Sequence, residues 1–401
     1  MDLDFEPAAE EFRAEVRGWL AAHLPATPLP PMDTAEGASA HREWERLLAD
    51  ARLSVVSWPV EYGGRAASLL EWLVFEEEYH AAGAPARIGQ NGLFLLAPTL
   101  FEHGTQEQRD RLLPRMGRAE EVWAQAWSEP EAGSDLAAIR CRAERTDGGW
   151  LLRGLKTWSS RAPIADRAFG LFRTERSASG TSIRTERSAS GTSIRTDPDA
   201  SRHQGLTYFL FDLGAPGVVV RPITQLDGRA GFAEVFLDGV FVPDADVLGE
   251  VGDGWRVAMS TTRSERGLSL RSPGRFEATA ARLVALWRET GDEVDTALAD
   301  RVTDGWITAR AYRLRTLATV TRLSEGGGLG AESSVDKLIW SQLDLALHDT
   351  ALDLLGADAE LLGRWTEGWM FALAGPIYAG TNEIQRGVVA ERLLGLPRGR
   401  R

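Results

Sequence analysis

The chain has 401 residues, 43% of them apolar and 26% charged, a globular composition long enough for two or three domains and unlike that of a disordered chain. Forty-five Lys and Arg against 58 Asp and Glu leave a net charge of −13, which disfavours nucleic-acid binding, because affinity for phosphates comes from clustered positive charge. Its one cysteine, Cys141, excludes a disulfide framework, a Cys-rich zinc module and an iron–sulfur cluster; the six histidines never fall in HExxH or HxH spacing, so no metal site is expected. The first residues are acidic where a targeting segment is basic, and no apolar run nears the ~18 residues of a membrane span, so a cytoplasmic protein is expected. The longest such run, about Gly92–Leu100, is interrupted by Pro98.

In chain order, Phe12, Val16, Trp19 and Leu20 at helical spacing predict an amphipathic helix over about Glu6–His23, ended by Pro25, Pro28, Pro30 and Pro31. Further helices are predicted over His41–Arg52, Leu69–Ala82 and Gln106–Met116, with a turn at Trp58–Gly64. The character changes after Val122. The runs Trp150–Leu152, Phe169–Phe172, Leu206–Phe211, Val218–Val220, Ala233–Leu237 and Val240–Val242 are short, β-branched or aromatic, and bounded by Gly, Asp or Pro. They predict a compact antiparallel sheet or barrel. Helical spacing returns over Trp255–Leu270, Phe276–Thr290, Thr296–Leu323, Val335–Leu355 and Thr381–Leu394, which predicts a bundle. The expected fold class is α+β: an N-terminal all-α domain (1–122), a middle β domain (123–245) and a C-terminal four-helix-bundle domain (246–401).

Inside the β region, Arg173–Ile183 reads RTERSASGTSI and Arg184–Ile194 repeats it letter for letter. Two copies without a core-forming face do not make a solenoid; they read as a duplication lengthening a surface hairpin loop. Lysine occurs only at positions 156 and 337, every other basic residue being Arg, a bias that GC-rich codon usage produces.

Two motif matches carry little. Ser334-Val335-Asp336-Lys337 fits SxxK but lies in a predicted helix without SDN or KTG companions, and the glycines of 326–330 follow a helix where a dinucleotide loop follows a strand. There is no GxxxxGK[ST] and no GxSxG. Three segments are less ordinary. Trp123–Asp135 runs from an aromatic strand into a Pro/Gly-bounded loop whose amides, with Ser128 and Ser134, suit a polar ring edge or a carbonyl; a capped turn into the sheet is the alternative. In Gly154–Ser160, Trp158 and Ser160 fall on one side of a strand, an indole wall for a planar heterocycle beside a hydroxyl for a ring nitrogen, or else a core Trp with a solvated Ser. In Ile377–Arg386, Gly380 permits close backbone approach and Thr381 can cap the following helix, whose positive end suits an electron-rich ligand; a plain N-cap is the alternative.

Together the order α–β–α, SEPEAGSD (128–135), GLKTWSS (154–160), Ser264-Glu265-Arg266-Gly267 and the closing AGTNEIQRGVVAERLLGLPRG (379–399) resemble the acyl-CoA dehydrogenase superfamily, nearest its actinobacterial fatty and sterol side-chain branch. The resemblance spans about residues 6–399 and implies FAD as cofactor. It implies oxidation of an acyl-CoA or acyl-carrier-protein thioester to the trans-2-enoyl thioester, the α-hydrogen leaving as a proton and the β-hydrogen as hydride to flavin N5. By matching motifs it implies that Gln125, Trp127, Ser128, Trp158, Ser160, Thr381 and Glu383 bind the cofactor and that Ser134 touches the thioester. Many members place the catalytic Glu immediately before the final Gly-Thr, where this chain has Ala379. A minority carries it in a Glu-Arg pair on a bundle helix, which makes Glu265 the expected base, with Arg266 holding charge or substrate.

Two departures concern contacts to a neighbouring subunit's FAD. The family's Arg-x-x-Phe-Gly is not recognisable after Arg271, where Gly274-Arg275-Phe276-Glu277 is a poor substitute, and Asp353–Ala357 stands where Gln-x-x-Gly-Gly is usual. The resemblance therefore implies a homodimer or homotetramer, or an α2β2 assembly in which this chain is a non-catalytic half-site partner of a paralogue. A flavin oxidase or monooxygenase on the same fold is the other alternative. An electron-transfer flavoprotein is the implied electron acceptor.

Overall fold

The computed structural model describes residues 5–174, 202–266, 272–290 and 295–397, with residues 263–266 and 272 described by their backbone alone. Of the duplicated segment only Arg173 and Thr174 fall within these bounds. The first helices are α1 (Pro7–His23), α2 (Ala35–Asp50), α3 (Leu69–Ala81), α4 (Ala97–His103) and α5 (Gln106–Gly117). The strands follow: β1 (Trp123–Ala126), β2 (Arg142–Thr146), β3 (Gly149–Ser160), β4 (Arg167–Thr174), β5 (Leu206–Asp212), β6 (Val218–Ile223), β7 (Phe232–Pro243) and β8 (Val247–Leu248). The last helices are α6 (Gly254–Arg266), α7 (Ser272–Thr290), α8 (Thr296–Ser324), α9 (Glu332–Leu355), α10 (Arg364–Ala372) and α11 (Asn382–Val388).

The residues cluster into two compact units, one of residues 1–30, 43–87 and 263–401, the other of 31–42 and 88–262. In the first, α1 begins on Pro7, whose missing N–H is no loss in a first turn. Phe12, Val16 and Leu20 of α1 bury against Trp44, Leu48, Val74, Phe75 and Tyr79. A capping box of Ser68 and Glu71 starts α3. Helices α7, α8 and α9 pack on one another around Phe276, Leu283, Tyr312, Trp340 and Leu347, and α10 and α11 lie against α9. The backbones of α7 and α3 touch: a Cβ at Gly274 would come within 2.6 Å of the Glu76 carbonyl oxygen.

The second unit is built on a sheet of order β6-β7-β3-β2-β4-β5-β8, with β1 beside β4. Its pairs are antiparallel except β1–β4 and β2–β4, so the sheet is mixed where the spacing of runs predicts an antiparallel one. Two parallel neighbours of β4 are possible because a long crossover, including β3, lies between them in the chain. Ala143, Leu152, Phe172, Phe209, Phe211, Val235 and Val242 form its core. The long β3 bends twice, with register shifts at Leu152/Arg153 and Lys156/Ser159.

Several boundaries differ from the sequence reading. Thr34 accepts the Gly37 amide at 3.0 Å and starts α2 six residues before the expected His41. Pro98 sits in the first turn of α4, so the expected interruption is a helix start, preceded by a wide π-type turn over Gly92–Leu96. The expected helix Thr381–Leu394 is α11 followed by a second such turn, Val389–Leu393. Among the described residues no helix is long and apolar enough to cross a membrane, and no group of three His, Cys, Asp or Glu is placed to hold a metal.

Candidate active site

In the sheet unit the structure brings five of the expected site residues together. Gln125 lies half-buried on β1, Trp127 and Ser128 follow on the loop, and Trp158 and Ser160 lie at the far end of β3. The loop is tied to that end, because the Thr157 amide donates to the Ser128 carbonyl at 2.9 Å. Trp127 is buried edge-on to Phe169 and Tyr208.

Trp158 occupies the register shift of β3 with φ +54, a conformation a bulky residue rarely adopts, and 59% of it is exposed. The Phe232 ring stands nearly perpendicular to the indole, 6.1 Å between centroids. Beyond it, Asn91 donates to the Ser160 carbonyl at 3.1 Å, and the Arg161 guanidinium donates to the Ile88 carbonyl at 2.8 Å. Ser134 is exposed further along the same loop. The strand bulge therefore presents a flat apolar wall beside polar groups.

Behind the wall is a buried charge pair that the motifs did not single out. Lys156 Nζ donates to Glu129 Oε1 at 2.9 Å, to the Leu171 carbonyl at 2.7 Å and to the Trp127 carbonyl at 3.3 Å. Glu129 also accepts the amides of Arg140 and Cys141 at 2.6 and 3.0 Å. Burial pushes the Glu129 carboxyl up, and Lys156 with the two amides outweighs it, so the group is held below the ordinary range. Burial also pushes the nearby Cys141 thiol up to about 12.

In the other unit, Thr381 caps α11, its hydroxyl accepting the Ile384 amide at 3.3 Å, and Glu383 stands exposed in the first turn. The preceding turn is unusual in carrying two successive residues at positive φ, Ala379 at +56 and Gly380 at +81. Gln385 Nε2 donates to the Ala379 carbonyl at 3.0 Å, and a Cβ at Gly380 would lie 2.4 Å from that nitrogen. A second buried lysine holds the turn: Lys337 Nζ donates to the Gly375 carbonyl at 2.8 Å and to Asn382 Oδ1 at 2.7 Å. Glu265 and Arg266 end α6; their side chains lie outside the described residues.

Burial lowers the Lys337 ammonium to about 8, with Glu383 opposing the shift. Because the folded value lies below the unfolded one, the unfolded chain binds more protons between them, and stability rises with pH across that window. The melting temperature of the wild type should therefore gain on that of Lys337→Met between about pH 7.5 and about pH 9.5. A gap that narrows over the same range contradicts the assignment.

A sheet that offers a flat indole beside polar groups can take a planar ring against it. Family models support this: the N-terminal, middle and C-terminal domains of acyl-CoA dehydrogenase match residues 6–120, 124–240 and 252–394. The acyl-CoA dehydrogenase IpdE1 of Mycobacterium tuberculosis is 39% identical over 405 residues, covering 97% of this chain and 98% of its own. Among solved structures, the Tcur3481–Tcur3483 steroid acyl-CoA dehydrogenase is 26% identical with a TM-score of 0.84, covering 100% of both chains. The ChsE4–ChsE5 complex from Mycobacterium tuberculosis is 25% identical with a TM-score of 0.79, also over 100% of both. The chain belongs to the acyl-CoA dehydrogenase family, whose members are FAD-dependent oxidoreductases. The residues present fit that cofactor: Trp158 offers a wall for a planar ring, and the buried Trp127 Nε1 and Ser159 Oγ donors have no hydrogen-bond partner among the described residues.

Proposed function

We propose that the protein oxidises an acyl thioester, carried on CoA or on an acyl carrier protein, to the trans-2-enoyl thioester, with FAD as its cofactor. The observation that carries this reading is the exposed indole of Trp158, held at positive φ on the bulge of β3. When bound, FAD supplies the acceptor for the β-hydrogen. The chain supplies the rest. Glu265, in the last turn of α6, takes the α-proton. Trp158 stacks on the ring, while Gln125, Trp127, Ser128, Ser160, Thr381 and Glu383 hold the cofactor, and Ser134 and Arg266 meet the thioester. A hydrogen-bonded thioester carbonyl acidifies the α-carbon by stabilising the developing enolate, which lets a carboxylate serve as the base. The division into domains at 1–122, 123–245 and 246–401 belongs to the same reading.

A fatty or steroid-linked acyl chain is the proposed substrate class, supported by the steroid acyl-CoA dehydrogenase among the similar structures, and an electron-transfer flavoprotein is the proposed acceptor. The test is the visible spectrum of the chain expressed alone, followed by acyl-CoAs added without oxygen. A bound-flavin spectrum that bleaches with one thioester is expected; a flavin that no acyl thioester bleaches overturns the reading. Rapid oxygen consumption by the reduced protein would point instead to an oxidase. A second reading, a half-site subunit that needs a paralogue, is supported by the ChsE4–ChsE5 structure being a complex. It predicts a colourless chain that gains flavin only with its partner.

A further inference from the structure

We infer that the chain's two lysines, Lys156 and Lys337, are positioning residues for the cofactor, each fixing from behind one segment that meets it. The inference rests on the flavin reading above. Of 45 Lys and Arg in the chain only these two are Lys, and both are buried, Lys156 to 0% and Lys337 to 2% exposure. Codon usage that favours Arg accounts for the others and leaves these two unexplained. A physical difference accounts for them. An ammonium is a compact donor with three N–H directions, whereas a guanidinium is a planar fork that needs more room and a flatter set of acceptors.

The acceptors around each lysine belong to the candidate cofactor segments. Lys156 gathers the Trp127 carbonyl, the Leu171 carbonyl and Glu129, and so joins the loop after β1 to β3 and β4. The next residue, Thr157, donates to the Ser128 carbonyl, and the bulge that turns Trp158 outward comes immediately after. Lys337 stands on α9 and gathers the Gly375 carbonyl and Asn382 Oδ1, an oxygen that also accepts from Ser341 Oγ at 3.1 Å. Between those two acceptors lie Ala379 and Gly380 at positive φ and the cap Thr381. In both units an uncommon backbone conformation is clamped by a buried ammonium within a few residues of it, and strained backbone persists only where its surroundings over-determine it.

Removing Lys156 alone would strand the buried Glu129 charge, so the informative variant is the double substitution Glu129→Gln with Lys156→Met, which removes the pair and keeps its shape. Lys337→Met leaves no charge stranded, because its acceptors are neutral. For each, the measurements are the melting temperature of the apoprotein, the Kd for FAD, and the visible circular dichroism of the bound flavin. Folded apoproteins that bind FAD at least tenfold more weakly, with an altered flavin dichroism, are expected. Lys156→Arg and Lys337→Arg, which keep the charge, should not restore binding. A lowered melting temperature with Kd within twofold of wild type would mean that the lysines only stabilise the fold, and overturns the proposal. Should the double variant not fold, Lys337→Met decides alone by the same criterion. A wild-type protein that takes up no FAD ends this proposal and the flavin reading together, whereas wild-type uptake with unaffected variants ends only this one.

Discussion

Glu265→Gln is expected to slow anaerobic flavin reduction by a good acyl-CoA by about 10²–10⁴-fold while FAD stays bound, because the amide keeps the carboxylate's shape and cannot accept the α-proton. The position before the final Gly-Thr supplies no alternative, since Ala379 ends in a methyl group. The nearest carboxylate in sequence to that turn, Glu383, is poorly suited. It is exposed, and its own backbone amide, with the Thr381 hydroxyl, holds its carboxyl below the ordinary range, which weakens it as a base. Wild-type bleaching by Glu265→Gln would remove the assignment, and slow bleaching by Glu383→Gln in the same experiment would transfer it.

Arg275→Met should destabilise the helical unit by about 3 kcal/mol in urea unfolding, because it leaves the buried Asp344 charge without its guanidinium partner. Asp344 lies fully buried on α9, where it pairs with Arg275 and with His348, whose Nδ1 is 3.3 Å from Oδ1. The Arg275 guanidinium stacks on Phe276 and reaches toward Phe371. Burial pushes the Asp344 carboxyl up, and Arg275 together with His348 more than reverses this, so the folded value is depressed. A depressed aspartate stabilises above its unfolded pKa, so the deficit of the variant should shrink as the pH falls through about 4. A deficit under about 1 kcal/mol at neutral pH would show that the pair behaves like an exposed surface bridge.

Local pattern made much of the fold legible. Helices α1, α3, α5 and α8 begin and end within a residue or so of their expected bounds, because their apolar spacing and caps are local signals. The helix α10 was not legible: it is short, carries Gly368 in its interior, and is ordered by packing on α9. The two parallel pairings of β4 join strands far apart in sequence, which no local pattern encodes. In the candidate site, side-chain chemistry singled out Ser128, Trp158 and Ser160, whereas Gln125 and Trp127 were named only by the resemblance. The bulge that turns the indole outward was not legible, since a positive φ at a tryptophan contradicts its local preference and is imposed by the strands around it. The two lysines were visible as a compositional bias, but rarity acquires a physical meaning only once both are seen to be buried.

The β4–β5 hairpin has one more consequence. Its strands pair from Arg167 with Asp212 to Arg173 with Leu206, and the Thr174 amide closes the ladder on the Gly205 carbonyl at 3.0 Å. Among the described residues, the pairs that fix its register therefore lie outside nearly all the repeated sequence. Tether entropy grows only logarithmically, by about 0.6 kcal/mol for each doubling of length. The eleven residues Arg173–Ile183 are repeated as Arg184–Ile194, and the pairs from Arg167 with Asp212 to Arg173 with Leu206 stay in frame. An epitope inserted between Ile183 and Arg184, outside the paired residues, is accordingly expected to leave that ladder in place, which the melting temperature of the insertion variant would check.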